Sequence, residues 1–418
     1  MDRTGTRQTR KRGVATEELR RHNLSTILER LHLDGPSSRS ALTTTTGLNR
    51  STVADLVSEL TLLGLVVEGP GVAMPGPGRR SPLVSVRPEG AAVLAIELSV
   101  DSIAVATVGL GGHTYNQLRV ARPRGRFSPE QTTQDVAKLA EPLVAALPPG
   151  HTLARVAAGV VGITRRSDGF VHLAPNLGWR DVPLGEMLGR ELRLADPVMV
   201  ANEADLGALA EFRRGAGRGV GHLIYLSGEA GIGAGLISDH RPMLGSIGYA
   251  GEVGHMLINP DGHKCRCGHV GCWETEAGEA ALARKAGIRT EPGAPGIVDI
   301  VLARAGSGDE RTLTALADIG RWLGIGIGNL INIVNSELVV LGGLYQRLFE
   351  YLDEPMANGV SMSALDAPRS GTQIVSSDLG IDAPLMGAAE MALAGVIADP
   401  AGTAGRNVRV LADGERGT

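Results

Sequence analysis

Cysteine is scarce in this chain and tightly bunched. Three occur among 418 residues, Cys265, Cys267 and Cys272, all within eight positions. Aromatic residues are also few, 3% of the chain. No apolar run reaches the 18 or so residues that span a bilayer. The opening MDRTGTRQTRKRG leads into no apolar stretch of the kind that marks a secretory signal. A cytoplasmic protein with no membrane partner is therefore expected, and in that compartment a structural disulfide among the three thiols is disfavoured. Neither sign of charge dominates, since the formal net charge is −4. Its distribution is uneven. Residues 1–90 carry 13 Lys/Arg against 9 Asp/Glu, whereas the remainder carries 28 against 36. A basic front on an acidic body points to a nucleic-acid module joined to something else.

What is present begins with helical spacing. Residues 1–15 are polar and Arg-rich and are expected to form a mobile basic arm. Leu24, Ile27, Leu28 and Leu31 then share one helix face. DGPSS (34–38) ends that helix, and Ser37 or Ser38 can cap a short second one, SRSALTTTT. After the turn at Gly47, Asn49 is a good N-cap for a third helix, in which Val53, Leu56, Val57, Leu60 and Leu63 recur at helical spacing. LVVE, a Pro/Gly-rich loop and PLVSV read as a β-hairpin with Arg79 and Arg80 at its tip. Three helices and such a hairpin make a winged helix-turn-helix. Its third helix would present Arg50, Ser51 and Thr52 to the major groove, while Arg79 and Arg80 reach phosphates or the minor groove.

RPEG (87–90) reads as a boundary. AVLAIELS, IAVATVGL and YNQLRVA read as strands, followed by a helix at 130–147 and the strand ARVAAGVVG. Later, HLIYLSGEAGIGAGLI reads as two strands about a Gly-rich turn, and LTALADIGRWLGIGIGNLINIVNSELVVLGG as a long buried helix entering a strand. Two successive α/β lobes with Gly-rich turns suggest an actin-like (ribonuclease H-like) ATPase-type fold with a cleft between the lobes. The expected division is a winged helix-turn-helix with its arm over 1–87, an N-terminal lobe over 88–203, a C-terminal lobe over 204–400 and a tail over 401–418.

CRCGHVGCWE (265–274) holds every thiol. Two cysteines two apart can grip a metal from a tight turn, and Gly268 and Gly271 let the loop bring Cys272 back. Structural zinc then needs a fourth ligand, for which His255, His263 and His269 compete. A redox switch and unconnected thiols are the other readings.

GEVGHM followed by CRCGHVGCWE resembles the signature of the ROK family of sugar kinases, sugar-responsive repressors and related reading frames. The resemblance covers nearly the whole chain. The start LRRHNLSTILERLH and the winged helix resemble the repressor branch, in its xylose-repressor-like or N-acetylglucosamine-repressor-like members. It implies a structural Zn2+ held by His255, Cys265, Cys267 and Cys272. It also implies a sugar in the interlobe cleft, met by Asn176, Asn202, Glu252, His255 and Glu274. Amides and carboxylates suit a ring of hydroxyls, each both donor and acceptor.

The kinase branch carries an Asp base directly after the residue matching Asn202; here Glu203 stands there, one methylene longer. Asp205 is expected on another side of the helix. The kinases' Asp-x-Gly-Gly-Thr phosphate turn is matched by ELSVD (97–101), and Glu229 and Ala230 replace Thr and Gly in the second phosphate segment. Phosphoryl transfer depends on positioning and charge neutralisation, which these changes damage. The expectation is therefore a non-enzymatic regulator, most simply a repressor of carbohydrate uptake or catabolism genes. It would act as a homodimer or dimer of dimers on two-fold operator DNA and be released by a sugar. A sugar kinase with residual activity is the alternative.

Overall fold

The computed structural model describes residues 5–69, 82–124, 127–148, 151, 153–289 and 296–403, with side chains from residue 17 onward. The chain opens with helix α1 (Gly5–Asp34), strand β1 (Ser37–Ser38), α2 (Arg39–Thr46) and α3 (Arg50–Leu62). Strands β2 (Val66–Gly69) and β3 (Leu83–Val86) come next, and the three strands form one antiparallel sheet in the order β1-β3-β2. The Arg-rich segment expected as a mobile arm is instead part of α1 from Gly5 onward. Arg7, Gln8, Arg10, Lys11, Arg12 and Ala15 are good helix formers, and no proline interrupts them. The tip of the hairpin, with Arg79 and Arg80, lies outside the described residues.

Local chemistry explains the helix ends. Ser38 Oγ accepts from the Ala41 N–H at 3.1 Å, and Asn49 Oδ1 from the Thr52 N–H at 2.8 Å, so each satisfies an orphan donor of the helix it opens. Leu24, Ile27, Leu28, Leu31, Val53, Leu56, Val57 and Leu60 are all buried, as their spacing predicts. That cluster is continuous with Val93, Ala95, Leu385 and Ala389, so the winged helix shares a core with the α/β body.

Next come β4 (Ala92–Leu98), β5 (Ser102–Gly109), β6 (His113–Ala121), α4 (Pro129–Ala145) and β7 (Leu153–Val160). They are followed by β8 (Ile163–Arg165), β9 (Phe170–Ala174), β10 (Trp179–Val182), α5 (Leu184–Glu191), β11 (Met199–Asn202) and α6 (Glu203–Arg214). One five-stranded sheet has the order β11-β7-β4-β5-β6: an antiparallel meander of β4, β5 and β6, with β7 and β11 parallel to β4. A small antiparallel sheet, β10-β9-β8, stands beside it. β4 is covered on both faces and so reads as a continuous apolar run, broken only by Glu97.

The second lobe contains β12 (Leu223–Gly228), β13 (Ile232–Ser238), β14 (Arg241–Pro242), α7 (Trp273–Ala277), α8 (Glu279–Ala286), α9 (Ile297–Gly306) and α10 (Glu310–Val334). It continues with β15 (Leu338–Gly343), α11 (Leu344–Arg347), α12 (Phe349–Ser363), α13 (Asp366–Ser370), β16 (Gln373–Ser376), α14 (Ala383–Ala398) and α15 (Pro400–Thr403). Its sheet order is β14-β13-β12-β15-β16, again an antiparallel hairpin extended by parallel strands. The repeated pattern is that of a two-lobed α/β fold with a cleft between the sheets.

α14 comes after the second sheet in sequence but packs on β4, β7 and α6. The segment Gly380–Ala398 is long and apolar enough to cross a bilayer by length and composition, although Asp382 and Glu390 interrupt its apolar run. It is mostly buried inside the protein and carries Glu390 at its middle.

Candidate zinc and sugar site

The thiol loop is built by turns. Leu257 bridges Cys272 and Lys264 bridges Val270, which folds the segment into a small hairpin. At Gly271, φ is +78° and an added Cβ would lie 1.8 Å from the Asn259 carbonyl, so only glycine fits. Trp273 anchors the far end. It is fully buried, its Nε1 donates to the Trp322 carbonyl at 3.0 Å, and its indole occupies the space left by Gly326 of α10. Sequence reading missed this anchor, although the Gly-rich face of α10 is the feature that could have suggested it.

His255, Cys265, Cys267 and Cys272 offer four donor atoms within 4.8 Å of one another. Cys267 Sγ and Cys272 Sγ are 3.6 Å apart, well beyond a disulfide bond, and Cys265 Sγ lies 3.7 Å from His255 Nδ1. A tetrahedron with zinc–sulfur arms of about 2.3 Å has edges of about 3.8 Å, so the set fits a structural zinc site. Among the rival histidines, His269 Nδ1 stands 3.4 Å from Cys267 Sγ, while His263 lines the cleft.

The cluster forms one wall of an interlobe cleft of about 930 Å³. Asn176, Asn202, Glu252, His255 and Glu274 all line it. The Cys265 thiol donates to Glu274 Oε1 at 2.8 Å, so the loop directly fixes that carboxylate. His255 turns Nδ1 toward Cys265 and has Nε2 4.0 Å from Glu252 Oε2. Burial raises the Glu252 carboxyl above its usual range; His255 opposes this and Glu274 adds to it. Asn176 Oδ1 accepts from Arg266 Nη1 at 2.6 Å, which ties the loop to the turn after β9. Asn202 has a second duty. Its Oδ1 caps α6 through the Ala204 and Asp205 N–H groups, and its Nδ2 donates to the Gly162 carbonyl at 2.9 Å. Asp205 lines a small cavity shared with Asn202 and Glu252 rather than the main cleft, and burial pushes its carboxyl up to about 7 against Arg166.

Beyond these residues the cleft turns acidic. Glu203, the first residue of α6, is 7% exposed and its Oε2 has no hydrogen-bond partner. Burial, then Glu229, Glu97 and Asp101, hold it well above the usual carboxylate range. Glu229 accepts from Ser99 Oγ at 3.0 Å, and burial with Glu97 pushes it up to about 7. Arg119 is paired with Glu97 at 2.9 Å and with Asp382 at 3.0 Å. Arg124, a cation that sequence reading overlooked, is engaged by Glu279 and by Asp101 at 3.3 Å.

At the other end of the molecule Arg50 and Ser51 are exposed on the first turn of α3, and Thr52 is half-buried. Ser51 Oγ donates to Asn49 Oδ1 at 2.7 Å.

A helix-rich N-terminal module with a three-stranded sheet, fused to two lobes of repeated topology around a Cys/His-walled cleft, defines a two-lobed sugar-kinase fold with an N-terminal extension. The chain belongs to the ROK family, whose model matches residues 93–394. It is 31% identical to a xylose repressor of Caldicellulosiruptor bescii and 30% identical to one of Bacillus subtilis, each alignment covering 87% of this chain and 93% of the relative. Among solved structures, a ROK-family transcriptional regulator, a homologue of the E. coli MLC protein, superposes with a TM-score of 0.77. The match covers 93% of this chain and 99% of that one at 24% identity. A glucokinase of Streptomyces coelicolor is 27% identical over 72% of this chain and 96% of its own length, so kinase relatives match only part of the chain.

Proposed function

We propose that this protein is a sugar-responsive DNA-binding transcriptional regulator, a repressor released from its operator when a sugar enters the cleft. The observation that carries this reading is the union of two parts on one core. The exposed first turn of α3 suits the major groove, and the cleft presents amides and carboxylates in place of a phosphate cradle. Likeness to xylose repressors over most of the chain supports it.

Asn176, Asn202, Glu252, His255 and Glu274 are the residues proposed to meet the sugar's hydroxyls. His255, Cys265, Cys267 and Cys272 are proposed to hold zinc, which when bound supplies a rigid clamp. Glu274, two residues beyond the ligand Cys272, and Glu252, facing His255, then have fixed directions. Arg50, Ser51 and Thr52, with Arg79 and Arg80 of the hairpin, are proposed to contact DNA, and a homodimer would match a two-fold operator. The boundary near residue 87 is proposed as the junction between the two modules. Sugar need only favour the released state; a difference of about 5.5 kcal/mol takes the balance from 1:99 to 99:1.

Phosphoryl transfer is disfavoured by the acids that share the cleft. Glu203 and Glu229 line the cleft and offer a nucleotide's phosphates no positive charge, and Arg124 is already paired with Glu279 and Asp101. A thermal-shift screen with D-xylose, D-glucose and N-acetylglucosamine, followed by a DNA-binding assay with the hit, tests the proposal. Binding of one sugar and weakening of DNA binding by it are expected. Turnover with ATP and Mg2+ at ordinary kinase rates would overturn it.

A further inference from the structure

Glu390 is the sole charged residue of α14, and it is fully buried. Three basic side chains converge on it. His32 Nε2 lies 3.1 Å away and Arg213 Nη1 3.2 Å away, and Arg214 Nε donates to its other oxygen. His32, 1% exposed, belongs to α1; Arg213 and Arg214 form the last turn of α6. The set closes through one backbone group. The Gly111 N–H donates to His32 Nδ1 at 2.9 Å, and Arg214 Nη1 donates to the Gly111 carbonyl at 2.9 Å.

The same end of α6 touches α1 twice more. Arg213 lies 3.9 Å from Glu29, and Arg218, just beyond the helix, donates to the Leu33 carbonyl at 3.5 Å. The opposite end of α6 starts in the cleft, at Asn202 and Glu203. Twelve residues at about 1.5 Å each make a rod of about 18 Å between them. One helix thus has its first residues in the cleft wall and its last two gripping the helix that supports the winged module.

Apolar contacts alone could hold α1, since its Leu24, Ile27, Leu28 and Leu31 are buried against the shared core. A buried ionic cluster is seldom more stable than apolar packing of the same volume, but it permits few geometries. We propose that the His32–Glu390–Arg214 cluster is the coupling joint of this protein: it fixes α1, and with it α3, to α6, so that movement of α6 on ligand entry reaches the DNA-binding helices. These residues are positioning residues, and the inference rests on the sugar reading of the cleft, to which it adds the route by which occupancy is conveyed.

The test is hydrogen–deuterium exchange on the full chain with and without D-xylose and D-glucose, for the natural protein and for Glu390→Gln. Expected is protection of residues 159–164 and 201–206 by one sugar, together with altered exchange at residues 27–34, the second effect vanishing in Glu390→Gln while the first remains. Should Glu390→Gln fail to fold, Arg213→Gln, which keeps His32 and Arg214 on the carboxylate, takes its place and should diminish the effect at 27–34. Protection of the cleft with no change at 27–34 in the natural protein would overturn the joint and leave the sugar reading intact. So would an unaltered response in the variant. Failure of both sugars to protect the cleft would count against the joint and the sugar reading alike.

Discussion

Two glutamates of similar burial sit near opposite ends of α6 and have opposite fates. Glu203, at the cleft, has an oxygen without a partner and acidic neighbours, and its carboxyl is held well above the usual range, first by burial and then by Glu229. Glu390, beside the last turn, is also penalised by burial, but the hydrogen bond from His32 and the guanidiniums of Arg214 and Arg213 outweigh it and hold the carboxyl down at about 2. Burial therefore does not decide the charge of a carboxylate; its partners do. One end of the helix is left unsatisfied toward the cleft, where a ligand can engage it. The other is closed, where geometry must be kept.

The largest effect should come from opening the closed end. Glu390→Gln leaves the Arg214 guanidinium partly buried without a carboxylate and Arg213 with only the more distant Glu29, and should cost about 3–5 kcal/mol in denaturant unfolding. The stabilisation from Glu390 carries a definite pH sign. Its folded carboxyl is lowered, so the contribution is complete above pH 4.5 and lost as pH falls toward about 2.

The acidic end has the opposite sign. Glu229 is raised to about 7 from 4.5, so the folded state holds a proton that the unfolded state releases. The contribution of Glu229 to stability is greatest below pH 4.5 and is lost as pH rises through about 7. Unfolding measured across that window should be flatter in Glu229→Gln than in the natural protein.

A smaller effect concerns ligand charge. Above about pH 7, where Glu229 is ionised, a phosphate near it meets repulsion, so glucose 6-phosphate should there bind at least about tenfold more weakly than glucose in calorimetry, a difference of about 1.4 kcal/mol. Equal affinities would mean that the acids lie away from the ligand. The smallest change is expected for Glu203→Gln. Burial favours the neutral form of Glu203, which the amide resembles, so unfolding should move by about 1 kcal/mol or less. A loss as large as that of Glu390→Gln would erase the contrast between the two ends.

Legibility in the sequence tracked distance along the chain. The apolar face of α1, the caps at Ser38 and Asn49 and the bunched cysteines are local patterns, and each appears in the structure as its spacing predicts. The cleft residues were legible through family order, yet Asn202's role as the cap of α6 was not, because one amide serves both the helix and the cleft wall. The joint was invisible. His32 and Glu390 are 358 residues apart, and each alone reads as a solvated charge. Trp273 and Gly326 were hidden in the same way, since a glycine's neighbour is set by tertiary packing. The Arg-rich start read as an arm because polarity suggested solvent, whereas its helix propensity continues α1.

The central claim is that a sugar in the cleft alters the grip of α3 on DNA. Its most direct test is fluorescence anisotropy on a duplex that the protein itself selects from a random library, titrated with the sugar found in the thermal screen. The expected result is a rise in the DNA dissociation constant of about tenfold or more at saturating sugar. Sugar binding that leaves the DNA dissociation constant unchanged would contradict it.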